Sequence, residues 1–440
     1  MSRAAGVLAK LESMSLAADA RKAVRLIRSA IRTRSAIGSA ERTQRERGPL
    51  KSGHFQIAVY FADGPVNLYQ LRQWYAPLIE LSKTWPVLII ARTGTGAEAL
   101  FAESPLPVHY ARSIDEIESV LADQPLRVVL YVNQNTRNFQ MFRYGHRWHV
   151  FISHGESDKV YMQSNQIRSY NYAFVAGDAA MARLRAALWD YDVDRRAIPI
   201  GRPQVDHFGD ATPPYPADER TVIFYAPTWE GDRSSMEYGS IITHGEAIAG
   251  AVLADDRLRL VYRPHPRSGV YNPAYGAAHR RIVAAIEKAN AEDPAARHVY
   301  DVSPTIDWQL STTDIAVMDV SAMVYDRLAV GKPLLVTRPV NPLTTVDERG
   351  YLAACDWLEA TSAGRVEDLV AIADDPDVVA RLSHWSRQYF GDTAAGASTA
   401  RFHAGIEHLM QEWERWNATT APLVVADHDD DEDLERDFEA

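Results

Sequence analysis

Two histidines carry the clearest chemical signal in this chain. His154 lies in Ser153-His154-Gly155-Glu156-Ser157-Asp158-Lys159, and His265 lies in Arg263-Pro264-His265-Pro266. An imidazole near neutrality can take a proton from a hydroxyl or donate a hydrogen bond to an anionic oxygen. Each histidine follows an apolar run, Val150-Phe151-Ile152 or Leu260-Val261-Tyr262, which puts it where a strand ends. In open parallel sheets the carboxyl ends of the strands form the rim of the ligand crevice. One such rim in each half of the chain predicts an active site shared between two domains. The competing reading of a strand-end histidine is a hydrogen-bonded structural residue.

The elements that would position these turns alternate along the chain. Expected strands in the first half are Gln56–Phe61, Val87–Ala91, Arg127–Val132, His149–Ser153 and Ala173–Ala176, with helices at Leu68–Lys83 and Asp178–Trp189. A second series has strands at Thr221–Ala226, Arg259–Arg263, His298–Val302, Asp314–Val317 and Leu334–Thr337. Its helices are expected near Gly245–Leu253, Ala274–Ala291 and Ala322–Val330. Short apolar strands between helices predict parallel sheets covered on both faces. The run Asp210-Ala211-Thr212-Pro213-Pro214-Tyr215-Pro216 can continue neither a helix nor a central strand and reads as a linker. Helical pattern returns at Asp377–Tyr389 and Ser398–Trp416. The fold class expected is α/β, two Rossmann-like domains facing across a cleft. The expected divisions are a basic helical segment at 1–53, domains at 54–209 and 210–397, a helix at 398–417 and a tail at 418–440.

Composition narrows the function classes. The chain has 440 residues and 46% hydrophobic composition, enough for two or three domains of about 150 residues each. Cys355 is the single cysteine, which excludes an intrachain disulfide and a thiolate metal cluster, and it is not the expected nucleophile. The histidines lack the paired spacing of a zinc site; no cofactor is required by the sequence, and Mg²⁺ dependence stays open. No run of about 18 apolar residues or secretory signal is present, so a cytoplasmic location is expected.

The formal charge of −11 conceals opposite ends. Residues 1–51 hold 12 Lys and Arg against 4 Asp and Glu, whereas Asp427–Ala440 hold 9 acids and one Arg. The acidic run is expected to be solvated, disordered chain. In a helical projection Ala23, Val24, Leu26, Ile27, Ala30 and Ile31 fill one arc, and Arg21, Lys22, Arg25, Arg28 and Arg32 the other. Such a helix suits an anionic membrane surface, reached through residues 1–35, or else docks on the protein itself or mediates oligomerisation. Nucleic acid is not an expected partner, because the rest of the chain is acidic and carries no recognition motif.

Five elements occur in one order. They are His154-Gly155 with Lys159, then Ile200-Gly201-Arg202-Pro203-Gln204-Val205-Asp206, then Tyr225-Ala226-Pro227-Thr228-Trp229, then His265-Pro266, then Asp319-Val320-Ser321 with Tyr325-Asp326. In order and spacing this resembles the CDP-glycerol glycerophosphotransferases, the teichoic-acid primases and polymerases, over about Phe151 to Pro339. The resemblance implies a GT-B-like fold and transfer of glycerol phosphate from CDP-glycerol to a hydroxyl of a lipid-linked or polymeric acceptor, with loss of CMP. It further implies work at the inner face of the cell membrane, in cell-wall polymer synthesis.

For that chemistry an acceptor hydroxyl must lose its proton, and the departing phosphate must have its charge stabilised. His154 is the candidate base, with Gly155 letting substrate approach the backbone. His265 is the candidate acid or hydrogen-bond donor to the diphosphate. Lys159, Thr228, Arg263, Asp319 and Ser321 are the candidate donor and phosphate contacts, with Ser321 at a helix N-terminus. Gly201 and Pro203 are expected to support the site. Asp319 reads equally as a helix N-cap. Pro227-Thr228-Trp229 reads also as a structural corner with Trp229 in the core, and Arg202 as a partner of Asp206.

The chain departs from the family pattern in two places. Ser321 is followed by Ala322 where a second serine is common, and Glu156-Ser157-Asp158 stands where a Thr-Pro pair is usual. Free acidic groups there would repel a phosphate-rich acceptor. The amide-rich stretch Tyr131–Asn138 reads as an acceptor contact or as turn structure. Two further readings stay open: a GT-B glycosyltransferase using a nucleotide sugar, and a non-catalytic membrane-associated scaffold.

Overall fold

The structure is a computed structural model describing residues 30–156, 160–209, 212–346, 350–373 and 375–419, with the side chains of residues 160 and 161 excepted. Two wholly parallel sheets form the frame. The first has seven strands, β1 (Ile57–Phe61), β2 (Val87–Ala91), β3 (Val108–Tyr110), β4 (Val128–Tyr131), β5 (Trp148–Phe151), β6 (Tyr172–Val175) and β7 (Ala197–Pro199). Their order is β3-β2-β1-β4-β5-β6-β7. The second has six, β8 (Thr221–Ala226), β9 (Leu258–Tyr262), β10 (Val299–Tyr300), β11 (Ile315–Met318), β12 (Leu334–Thr337) and β13 (Asp356–Leu358), in the order β10-β9-β8-β11-β12-β13. The central strands are buried along their whole length, as parallel strands covered by helices on both faces must be.

The chain packs as two compact units. One takes residues up to Leu68, Leu78–His149 and residues from Trp413 on; the other takes Tyr69–Pro77 and Val150–Glu412. Residues 212–220, after the expected linker begins, form no regular element.

In the first unit a helix over residues 30–47 buries Ala36 and Ala40. Gln44 bonds both the carbonyl and the amide of Tyr110, at 2.9 and 2.5 Å. Arg47 lies over the Phe101 ring at 4.8 Å. This segment therefore docks on the protein itself, while Ile31 remains 64% exposed. Arg21, Lys22, Arg25 and Arg28 lie outside the described residues, as does the acidic tail.

Three strands are additional to those expected: β3, β7 and β13, each of three residues. So short a segment shows no periodicity of its own, and pairing with a longer neighbour defines it. Pro199 is tolerated in β7 because that strand forms an edge of its sheet. The single helix expected over Leu68–Lys83 is two, Leu68–Arg72 and Tyr75–Ser82. Pro77 is the cause: proline fits the first turn of a new helix but clashes with the carbonyl four residues back in a continuous one. No helix among the described residues is long and apolar enough to cross a membrane.

Candidate functional site

The carboxyl ends of β8, β11 and β12 are knitted together by one carboxylate. Asp319, the residue after β11, is fully buried. It accepts hydrogen bonds from the backbone N–H of Thr228 (2.7 Å), the N–H of Ser240 (3.0 Å) and the hydroxyl of Thr337 (2.6 Å). Burial raises its pKa to about 6, and the bonds from Ser240, Thr337 and Thr228 offset only part of that rise. Asp319 thus spans the loops of three strands and does not cap the following helix. The phenol of Tyr275 donates to the Thr228 carbonyl at 2.7 Å, fixing that loop from a second side.

His265 sits on the adjacent loop, its backbone N–H bonded to the Pro227 carbonyl at 3.1 Å. Its ring Nδ1 accepts the N–H of Arg267 at 3.1 Å. A neutral imidazole carries its proton on the other nitrogen when Nδ1 accepts, so His265 holds an Nε2–H donor. A residue that sequence reasoning missed holds this loop. Glu230, 8% exposed, accepts from the N–H groups of Gly269, Tyr271 and Asn272 at 2.9, 2.9 and 3.0 Å. Burial opposes its charge, but these amides more than compensate and leave its pKa below the ordinary carboxylate value. An acidic residue before Gly231 was the available signal, yet nothing local distinguishes it from a solvated turn residue. Trp229 is half-buried rather than core: Arg267 lies over its ring at 4.0 Å and Tyr271 packs beside it.

Other expected donor contacts divide. Ser321 occupies the N-cap of the helix Ala322–Val330, yet its hydroxyl oxygen is buried with no hydrogen-bond partner among the described residues and makes no capping bond. Arg263 turns its guanidinium to Asp301 and Ser303. Lys159, with Ser157 and Asp158, lies outside the described residues.

The His154 turn is built differently. Ser153 takes the left-handed conformation at φ 53°, and its hydroxyl donates to the Gly155 carbonyl at 3.0 Å. Trp74 donates its indole N–H to the Ser153 carbonyl at 2.5 Å. Ser153, not Gly155, therefore makes the bend; a Cβ on Gly155 would meet only Arg202 Nη2 at 3.9 Å. His154 is half-buried, with the ring of Tyr69 edge-on at 5.7 Å.

Arg202 anchors this turn. It donates Nη1–H to the His154 carbonyl (3.0 Å) and Nη2–H to Gln73 (2.8 Å), and it pairs with Asp326 through Nε (3.0 Å) and Nη2 (2.9 Å). Asp326 lies on the helix that Ser321 opens, and it is buried; burial pushes its pKa up, and Arg202 holds part of that rise back. The expected Arg202–Asp206 pair does not form, since Asp206 accepts the N–H of Thr399 at 2.7 Å. Gly201 is obligatory: at φ +75° an added Cβ would strike Arg401 and Ser398. Pro203 opens the turn Pro203–His207, whose first two residues are buried.

One further expectation is corrected, and one open reading narrows. Glu156 is 3% exposed and ion-paired with Arg183, so it is no free charge that repels an acceptor. Within Tyr131–Asn138, Asn133, Asn135 and Asn138 bond Asp63 and the turn backbone, as amides in loops commonly do. The Cys355 thiol is buried, which pushes its pKa to about 12. Among the described residues no group of His, Cys, Asp or Glu could hold a metal ion.

No protein-family model matches the chain, and no curated protein matches it by sequence. Solved structures do. The wall teichoic acid polymerase TagF superposes with a TM-score of 0.53 at 12% identity, over 89% of this chain and 97% of that one. A UDP-N-acetylglucosamine 2-epimerase gives 0.52 at 14%, over 86% and 100%. The S. aureus MnaA–UDP complex gives 0.52 at 14%, over 84% and 100%. At such identities the likeness establishes the fold, a GT-B-like arrangement of two Rossmann-like sheets.

Proposed function

We propose that the chain is a nucleotide-dependent transferase that moves glycerol phosphate from CDP-glycerol to an acceptor hydroxyl and releases CMP. The observation that carries the reading is Ser321. A serine at an N-cap ordinarily bonds a helix amide, but here its buried hydroxyl is uncommitted at a helix N-terminus, where a phosphate is favoured. The loops of Thr228 and His265 adjoin it through Asp319, and His265 is assigned as the hydrogen-bond partner of a phosphate oxygen. His154 takes the acceptor proton as the hydroxyl oxygen attacks the phosphorus. The bond to the CMP oxygen breaks in line, and CMP departs with that bond's electron pair. In this reading residues 54–209 serve the acceptor and residues 210–397 the donor.

A glycosyltransferase using a nucleotide sugar is the second reading, favoured by the equal likeness to a UDP-N-acetylglucosamine 2-epimerase and to the MnaA–UDP complex. Incubation with CDP-glycerol and, separately, with UDP- and GDP-sugars, following CMP, UDP or GDP release, separates the two. CMP release dependent on acceptor supports the first, UDP or GDP release the second, and no release from any donor overturns both. Placement at the inner membrane face, with a lipid-linked acceptor, is part of the proposal. Co-sedimentation with anionic vesicles that weakens as salt rises supports it, and its absence removes it.

A further inference from the structure

The His154 turn is not held by close packing on every side. A cavity of about 40 Å³ lies against it, with Ser153, Gly155, Trp74 and Arg202 in its lining, and a wall that faces a void gains no contacts there. One short stretch of chain compensates. The helix break at Pro77 leaves Gln73 and Trp74 as the turn between Leu68–Arg72 and Tyr75–Ser82. Trp74, 1% exposed and packed against Phe402 at 5.3 Å, donates its indole N–H to the Ser153 carbonyl. Gln73 accepts from the Arg202 guanidinium, which itself donates to the His154 carbonyl. Residues Tyr69–Pro77 accordingly pack in the same compact unit as Val150–Glu412, and not with Leu78–His149, which follow them in the chain.

Both of these anchors act on backbone carbonyls. They settle where the peptides of Ser153 and His154 lie and leave the imidazole to its rotamers. From the same stretch, Tyr69 meets the imidazole itself: the ring centroids are 5.7 Å apart and the planes stand at 88°, an arrangement that aromatic pairs favour. The Tyr69 phenol oxygen accepts from the Gln70 side-chain amide at 3.2 Å, so the ring and not the hydroxyl serves His154. We propose that Tyr69 is the positioning residue of His154, holding the imidazole in the orientation from which it takes the acceptor proton. A general base must lie within about 3 Å of the hydroxyl it serves, and a misplacement of about 1 Å can cost on the order of 10²-fold in rate. Backbone anchors alone do not meet that tolerance, because a change of rotamer carries the ring nitrogens further than this.

The assignment rests on His154 being the base of the proposed transferase, but its first test needs no turnover. In NMR spectra of the full chain with isotope-labelled histidine, the imidazole signal of His154 is identified by its loss in His154→Ala. Tyr69→Ala should shift and broaden that signal, whereas Tyr69→Phe should leave it in place. Tyr69 is 46% exposed, so melting temperatures should change little. In kinetics Tyr69→Ala should lower kcat about 10- to 100-fold with KM for donor and acceptor within about twofold, and Tyr69→Phe should restore kcat. Tyr69→Ser serves should the alanine variant not fold. An unmoved His154 signal overturns the assignment. Equal loss of kcat in the phenylalanine variant also overturns it, since the hydroxyl would then be doing the work. A Tyr69-dependent signal without nucleotide release from any donor overturns the proposed function alone. Release whose kcat is indifferent to Tyr69 overturns the positioning role alone.

Discussion

The two histidine loops are secured by opposite means. The His265 loop hangs on the Glu230 carboxylate, which gathers three backbone N–H groups over four residues, and on aromatic faces that hold Arg267. The His154 turn hangs on the Arg202 guanidinium, which reaches one backbone carbonyl and is itself balanced by Asp326. A carboxylate anchor fixes a run of chain and so sets a loop's path. A guanidinium anchor fixes one peptide and relays its position to whatever holds the partner carboxylate, here the helix that begins after Ser321. The first loop is thus rigid in its own right, whereas the second is registered against a distant element.

The largest expected effect is catalytic. If the turn registers a base, His154→Ala should lower turnover on the order of 10²–10⁴-fold, with the melting temperature little changed. Full activity in a stably folded variant would remove His154 from the mechanism. The comparison itself is broken or kept by the anchors. Arg202→Ala strands the buried Asp326 carboxylate and should cost about 3–5 kcal/mol in denaturant unfolding. Glu230→Ala frees three amides near the surface and should cost about 1–3 kcal/mol, with donor KM raised more than kcat is lowered. Equal losses of stability, or a KM effect on the acceptor alone, would show that the anchors do not differ as argued.

The remaining expected effect is a pH dependence. Burial raises the Asp319 pKa from an ordinary 3.8 to about 6, so the folded state favours its protonated form. Its contribution is therefore fully present below pH 3.8 and is lost as pH rises through about 6. At about 1.4 kcal/mol per pKa unit, the cost of ionising it in the folded protein is on the order of 2–3 kcal/mol. Asp319→Asn keeps the acceptor for Thr228 and Ser240 and lets the Thr337 hydroxyl accept instead of donate. The stability of wild type minus that of the variant should accordingly fall between pH 4 and 7. A difference that stays flat would mean that Asp319 is ionised throughout.

Much of the frame was legible. Val87–Ala91, Thr221–Ala226, Leu334–Thr337 and Ala322–Val330 match expectation to the residue, because long apolar runs and turn signals act over short stretches of chain. The expected cluster of Thr228, His265 and Asp319 is also adjacent in space, since strand ends in a parallel sheet must neighbour one another. What failed was partner choice. Arg202 was read against Asp206, four residues on, and Glu156 as a free charge, since a sequence shows only near neighbours.

The sequence by itself determined where the longer strands and helices fall and which histidines end strands, for those follow from apolar periodicity and from the turn signals of glycine and proline; the three short strands took pairing to define them. Tertiary structure alone decided which charges meet. Arg202 and Asp326 stand 124 positions apart, Glu230 and Asn272 stand 42 apart, and the Gln204 side-chain amide has no partner among the described residues. The reason is physical: a periodic pattern is written into consecutive residues. An ion pair or an unmet amide depends instead on how two finished surfaces come together, and on whether burial leaves water within reach.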